Sequence, residues 1–481
     1  MNSTRRSLLF SFAEKYTSLL LATAASMLVA RMLTPADIGI YAIGAVLAGL
    51  AQVLRDFGIG QYVVAARELT REHLRAALAV SLTAGWSLAA LIALGSEALA
   101  RFYGTPLLRP VLLLLALNFA LVPFTALTLA WLRRNLHWRA VFCINTAHAL
   151  TQCVMSVALA MHGYGCTGLA LATLCAGLAG LGTSLFFRPR GLPWLPRWRG
   201  MGAVLRFGAY ATGGNIIDEA GVAAPELIIG RLLGSAEVAL FGKAQSLLNL
   251  FAHGIGSAVS PVLLPLFAAE ARQGGDLRLS YLRTVRYMTA VAWPFFCLLG
   301  ILALPVLRLL YGAQWDAAAP LIRLMCWSSA IFSMFSMARY LFVASGHVRE
   351  QARLDAWAVL LRVSALVPAA TAGLEWVAGA VVFGFLARSW LTWRCLSRLH
   401  GVTAAGLLHS VWQSALLAAL CAVPALAALL TLQDAAWQLM GGGAAALAAW
   451  IAGIVLLRHP LADELMRLLS RLHLRPAKEN L

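Results

Sequence analysis

Charge is scarce in this chain. Only 12% of its 481 residues are charged, about half the share of a soluble domain, and the mean hydropathy is +0.78. A set of water-soluble cores joined by polar linkers is therefore excluded, and no such linker is visible. Acid is scarcer still, with 20 Asp and Glu against 38 Lys and Arg. A net charge of +18 suits nucleic acid only when the basic residues form a patch. Here they lie between apolar segments, so no nucleic-acid partner is expected. Cysteine pairs are also missing. The eight cysteines, from Cys143 to Cys421, lie in or beside apolar stretches and form no C-x-x-C. They read as small residues packed between helices, with no disulfide framework, metal site or cofactor.

What is present is apolar sequence in spanning lengths. The first residues imitate a twin-arginine export signal, Thr4-Arg5-Arg6-Ser7-Leu8-Leu9-Phe10, with Ala22-Thr23-Ala24 in place of a cleavage site. Glu14 and Lys15 interrupt the apolar core such a signal needs, and the pattern continues to Arg31, so a first membrane helix is expected instead. A spanning helix takes about 20 apolar residues. That length gives fourteen segments, near 8–31, 38–62, 77–100, 108–132, 141–161, 166–187, 203–231, 236–266, 287–310, 318–342, 354–373, 376–393, 407–431 and 436–457. The expected fold is an all-α polytopic membrane protein.

The arginines sort by side. Arg5 and Arg6 precede the first segment. Alternate loops then hold Arg67, Arg71 and Arg75; Arg133, Arg134 and Arg139; Arg188, Arg190, Arg197 and Arg199; Arg272 to Arg286; Arg349 and Arg353; and Arg394 and Arg398. The tail carries Arg458, Arg467, Arg471, Arg475 and Lys478. The intervening loops are nearly bare, as at His162–Cys166, Gly373–Trp376 and Gln433–Ala436. Cytoplasmic loops carry the Lys/Arg excess, so both termini are expected inside and the number of spans even.

Two stretches read alike. Arg31-Met32-Leu33-Thr34-Pro35-Ala36-Asp37-Ile38-Gly39-Ile40-Tyr41 follows the first segment, and Arg231-Leu232-Leu233-Gly234-Ser235-Ala236-Glu237-Val238-Ala239-Leu240-Phe241 follows the seventh. Phe57-Gly58-Ile59-Gly60 pairs with His253-Gly254-Ile255-Gly256, and Phe102-Tyr103-Gly104 with Leu310-Tyr311-Gly312. Collinear matches over six helices indicate a parallel repeat, an arrangement transporters use. The expected organisation is a six-helix lobe over 1–190, a basic cytoplasmic linker at 191–202, a second six-helix lobe over 203–400, and two further helices with a basic tail over 401–481. In the linker, Trp194 and Trp198 belong either to a simple connector or to the headgroup layer.

These motifs carry a resemblance. The turn after the first helix, Asp56-Phe57-Gly58-Ile59-Gly60, Ile228-Ile229-Gly230-Arg231-Leu232-Leu233-Gly234, and Leu307-Arg308-Leu309-Leu310-Tyr311-Gly312-Ala313-Gln314-Trp315 resemble the polysaccharide transporter (Wzx-type) oligosaccharide flippases. The likeness covers roughly residues 8 to 400. Ala239 and Glu226 depart from it, standing where that family prefers Gly and Asp. The resemblance implies two six-helix lobes around a cavity, alternating access, and undecaprenyl-diphosphate-linked oligosaccharide as substrate in a bacterial inner membrane. It further implies membrane lipids, and polymerase and chain-length proteins of the same pathway, as partners. The same superfamily holds multidrug antiporters and lipid II flippases. An antiporter would favour acids over cations in its spans. A membrane polymerase, the rival from another class, needs a large outer loop for its chemistry and none is visible, so a non-enzyme is expected.

Charged residues inside spans are functional candidates. The cations are Lys15, Arg55, Arg362, Arg31, Arg231 and Lys243, which suit a substrate-binding cationic cavity because guanidinium holds phosphate with a two-pronged fork. Lys15, Arg55 and Arg362 are expected to share one hydrated cleft. Glu14 and Asp56 stand beside Lys15 and Arg55 and neutralise them or serve transport. Arg31 and Arg231 lie at helix ends, where they bind substrate or snorkel. Asp218, Glu219 and Glu226 either couple a proton or sodium ion or pair with the arginines. Pro261, Pro265 and Pro294 are expected to interrupt helices eight and nine, as hinge or static kink. Gly441-Gly442-Gly443 reads as close helix packing.

Overall fold

The computed structural model describes residues 2–56, 59–65, 69–198 and 201–462, and every regular element among them is helical. The chain divides into two compact units, Met1–Gly242 and Lys243–Leu481. The division falls inside the second sequence repeat, after its first helix has packed into the first unit.

The first unit contains α1 (Asn2–Met32), α2 (Pro35–Asp56), α3 (Ile59–Ala65), α4 (Arg71–Phe102), α5 (Leu108–Arg134), α6 (Trp138–Met161), α7 (Gly165–Phe186), α8 (Met201–Leu232) and the start of α9 (Ser235–Phe251). Helix α6 packs on α1 and α7, α5 on α4 and α7, and α8 on α2. The second unit continues with a π turn at Ala252–Gly256, α10 (Ser257–Arg272), α11 (Leu277–Ile301), α12 (Ala303–Leu310) and a 3-10 turn at Ala313–Ala318. It ends with α13 (Ala319–Ser333), α14 (Ala338–Ala344), α15 (Val348–Ala372), α16 (Leu374–His400), α17 (Ala404–Thr431) and α18 (Ala435–Leu456). Here α11 packs on α13 and α17, α16 on α13 and α15, and α18 on α17.

Eleven helical stretches among the described residues are long and apolar enough to cross a membrane. They match eleven of the expected segments. The other three, near 8–31, 203–231 and 236–266, are also helical, as α1, α8 and the α9–α10 stretch. Local chemistry sets the ends. Thr70, Asp276, Thr403 and Asp434 each accept a hydrogen bond from a first-turn backbone N–H, starting α4, α11, α17 and α18. Gly401, at φ 67°, ends α16 in the left-handed region.

The repeat has local structural counterparts. Tyr103 ends α4 and Tyr311 ends α12, and the glycines that follow, Gly104 and Gly312, have φ of 66° and 100°. Only glycine enters that region freely, so both copies of the Tyr-Gly motif require their glycine. In the second copy a π turn covers His253 to Gly256 of the glycine motif, while Ile59 and Gly60 of the first copy open α3. Phe57 and Gly58 themselves lie outside the described residues.

The prolines act differently from expectation. The break in the eighth segment is the π turn, upstream of Pro261 and Pro265, and α11 runs through Pro294 without interruption. Proline removes one backbone bond, and a spanning helix held by its neighbours tolerates that loss. Of the three glycines in α18, Gly442 makes the close approach: a Cβ there would lie 3.0 Å from Ala428 Cβ.

The first unit gathers its arginine loops at one end. Arg134 donates to the carbonyls of Val63 and Val64 at 2.8 and 3.2 Å, Arg197 pairs with Glu72, and the Arg197 N–H donates to the Arg75 carbonyl. Arg188 stacks on Trp194 at 4.0 Å and donates to the Pro193 carbonyl, while Leu192 is buried against α4 and α5. The linker is thus folded onto the unit, with Trp194, Leu195 and Trp198 turned outward. Several arginines at the opposite ends are paired with acids. Glu97 holds Arg101 at 3.1 Å and Arg109 at 3.2 Å, and Asp316 holds Arg308 at 2.7 Å.

Candidate functional site

In the second unit, charge inside the spans concentrates on the seam between α15 and α16. Asp355 and Gln351 lie one turn apart on α15 and are 9% and 6% exposed. Gln351 Nε2 donates to Asp355 Oδ2 at 2.8 Å, and Arg388 Nη2 on α16 donates to Asp355 Oδ1 at 2.5 Å. Both carboxylate oxygens are thereby occupied. The Arg388 guanidinium also stands 5.3 Å from the ring centre of Phe332 on α13. Two turns along α15 from Asp355, the Arg362 stem crosses α16 at Gly384, where a Cβ would lie 2.9 Å from Arg362 Cγ. Gly384 thus makes room for an arginine inside the helix pair. Two guanidiniums on one helix pair, one of them tied to Asp355, suit a polyanion.

The remaining cations have different surroundings. Arg55 is 7% exposed, with its guanidinium 5.2 Å from the Phe119 ring centre. Lys15 is exposed on α1, and its neighbour Glu14 accepts a hydrogen bond from Asn145 Nδ2 on α6. Arg31 is exposed at the end of α1, and Arg231 reaches the Phe102 ring at 4.9 Å. Lys243 is 8% exposed, its ammonium 4.4 Å from the Tyr311 ring centre and 5.4 Å from that of Trp315. Cation–π contact with two electron-rich faces compensates burial of that charge.

Among the acids, Glu219 Oε1 is 4.0 Å from the point a Gly49 Cβ would occupy, which places it toward α2. Glu226 Oε1 is similarly 3.9 Å from Gly242. Glu226 makes no hydrogen bond or ion pair among the described residues. The side chains of Asp56 and Asp218 lie outside the described residues.

Sequence reasoning missed Asp355, Gln351 and Arg388. Asp355 lies at the very start of the expected segment 354–373 and Arg388 near the end of 376–393, where end positions are easily taken for interfacial charge. The available signal was spacing. Gln351, Asp355 and Arg362 recur at four and seven residues, one face of a helix.

The sequence matches the family described as "Polysaccharide biosynthesis protein" over residues 28–320. It is 23% identical over 368 residues to the lipopolysaccharide biosynthesis protein WzxC of Escherichia coli (strain K12), covering 74% of this chain and 72% of the relative. It is 24% identical over 383 residues to the succinoglycan biosynthesis transport protein ExoT of Rhizobium meliloti (strain 1021), covering 79% and 74%. Among solved structures, the fold is similar to that of a lipid II flippase MurJ in an inward closed conformation. The TM-score is 0.78 at 12% identity, over 95% of this chain and all of that one. A multidrug resistance MATE family transporter, inward-facing, shares the fold at a TM-score of 0.63 and 15% identity, over 83% and 95%. The family match spans more than half of the chain, across both Tyr-Gly turns and the Arg231 motif, so this multi-pass membrane protein belongs to the polysaccharide biosynthesis protein family.

Proposed function

We propose that this protein carries an undecaprenyl-diphosphate-linked oligosaccharide across the bacterial inner membrane by alternating access, for O-antigen, capsule or exopolysaccharide synthesis. The observation that carries the reading is a pair of arginines, Arg362 and Arg388, built into the α15–α16 seam of a member of this family. A diphosphate cannot enter hydrocarbon with its charge unsolvated. Fixed guanidiniums replace the lost water, and the lipid tail stays in the bilayer. Lys15, Arg31, Arg55 and Arg231 in the first unit and Lys243 in the second are further proposed contacts for the substrate.

Glu226 is the proposed carrier of a coupling proton. It stands against a glycine without a hydrogen-bond partner among the described residues, and a lone carboxylate in a span exchanges a proton at lower cost than it holds a charge. Sodium is the alternative coupling ion. A multidrug antiporter would concentrate acids where this seam concentrates arginines. Polymerase and chain-length proteins are the proposed pathway partners, and transport rather than catalysis is the proposed activity.

The orientation follows from the charge-rich ends: both termini and Trp194 inside, Gly163 and Gly373 outside. Reporter fusions at these three positions test it, and a cytoplasmic signal at Gly163 would overturn it. The function is tested by deleting the gene in its host. Surface polysaccharide should disappear while lipid-linked repeat units accumulate on the cytoplasmic side, both reversed by the cloned gene. Unchanged polysaccharide with no accumulation overturns the reading.

A further inference from the structure

The second unit contains a cavity of about 870 Å³ between α11, α13 and α17, a size typical of small-ligand sites. Small side chains leave the space open: Gly300 and Cys297 on α11, Ala330 on α13, and Ala415, Ala418 and Ala419 on α17. Trp293 forms part of the wall, and its indole N–H is already donated to the Ala330 carbonyl at 2.9 Å. The lining therefore offers almost nothing to a sugar, which needs several hydrogen-bond partners.

One polar group stands out. Arg323, on the first turns of α13, lines the cavity and is exposed. It makes no hydrogen bond or ion pair among the described residues, and the nearest acid in sequence, Asp316, is held by Arg308. Trp327, one turn further along α13, also lines the cavity and is 76% exposed. An interfacial arginine and tryptophan at the edge of an apolar space match an amphiphile with a hydrocarbon tail and an anionic head.

We propose that this cavity binds one acyl chain of an anionic glycerophospholipid whose phosphate is held by Arg323. The chain fills space that would otherwise be an apolar void between three spanning helices. The phosphate gives Arg323 the charge-assisted partner that the protein does not supply. The site is separate from the α15–α16 seam and independent of the transported substrate.

The test is native mass spectrometry of the full chain released from membranes in mild detergent, counting bound lipids by headgroup. Wild-type protein should retain phosphatidylglycerol over phosphatidylethanolamine by about tenfold relative to the bulk membrane, the ratio of a single charge-assisted contact. Arg323→Gln should lower that enrichment at least fivefold. Ala419→Trp, which places a ring in the cavity from an exposed position, should remove the bound lipid while leaving Arg323 intact. Equal headgroup ratios in wild-type protein, retention unchanged in Arg323→Gln, or a polyprenyl diphosphate as the retained lipid would each overturn the proposal.

Discussion

Gly39 and Ser235 meet backbone to backbone: a Cβ at Gly39 would lie 1.6 Å from the Ser235 carbonyl oxygen. The two residues belong to equivalent turns of the repeat, so its first and second copies touch where their second helices begin. The equivalent of Gly39 in the second copy is Ala239, which is buried and carries its methyl group without difficulty. Gly39→Ala should therefore destabilise the protein by about 1–3 kcal/mol or more, as overpacking does. Ala239→Gly should cost roughly 1 kcal/mol, from helix propensity alone. Melting temperatures of the two variants in one detergent check this, and equal losses would remove the asymmetry.

Asp355 and Arg388 should behave as one unit. Removing one partner leaves the other's charge poorly compensated, at a cost of up to roughly 3 kcal/mol because Arg388 keeps some exposure. The double variant Asp355→Ala with Arg388→Ala should cost clearly less than the sum of the two single variants. A double-mutant cycle on thermal stability measures the difference. Additive losses would show that the contact contributes nothing of its own.

Arg362 is expected to matter for transport more than for stability. Arg362→Ala should abolish polysaccharide export at normal protein abundance. Arg362→Lys should restore it only in part, because an ammonium lacks the planar fork. Export should be measured beside membrane abundance by immunoblot. Normal export by the alanine variant would take Arg362 out of the site.

His459, beyond the end of α18, links stability to pH. It is 1% exposed, and its Nδ1 accepts the Leu461 N–H at 3.1 Å. Burial, and then the nearby Arg286, push its imidazole down to about 4 from the ordinary 6.5. Between those two values the unfolded chain binds a proton that the folded one does not, so the folded state loses stability as pH falls. The contribution is complete above pH 6.5 and lost progressively toward pH 4. The melting temperature should drop from pH 7 to pH 5, and His459→Gln should reduce that drop. An equal drop in the variant would assign the pH dependence elsewhere.

The spanning helices were legible because hydrophobic length dominates the sequence, and the repeat because its turns need particular residues, such as Gly104 and Gly312. The α15–α16 seam was not legible. Whether Asp355, at the start of an expected span, is an interfacial charge or half of a buried ion pair depends on Arg388, 33 positions away, and on the two helices lying side by side. Nor did Lys243 announce its aromatic surroundings, since Tyr311 and Trp315 come from a turn after another helix. The break at Ala252–Gly256 was hidden for another reason. A π turn keeps the apolar pattern continuous, and the prolines nearby drew the expectation to the wrong place.

The acid-paired arginines opposite the charge-rich ends affect how the chain enters the membrane. In the proposed orientation these turns must cross to the outside, and an inside-negative potential of 100 mV charges about 2.3 kcal/mol of electrical work for each positive charge moved outward. Asp316 cancels that work for Arg308, and Glu97 cancels one of the two charges on Arg101 and Arg109. The membrane potential thus acts more weakly on these paired turns than on the arginine clusters that remain, favouring a single direction of insertion.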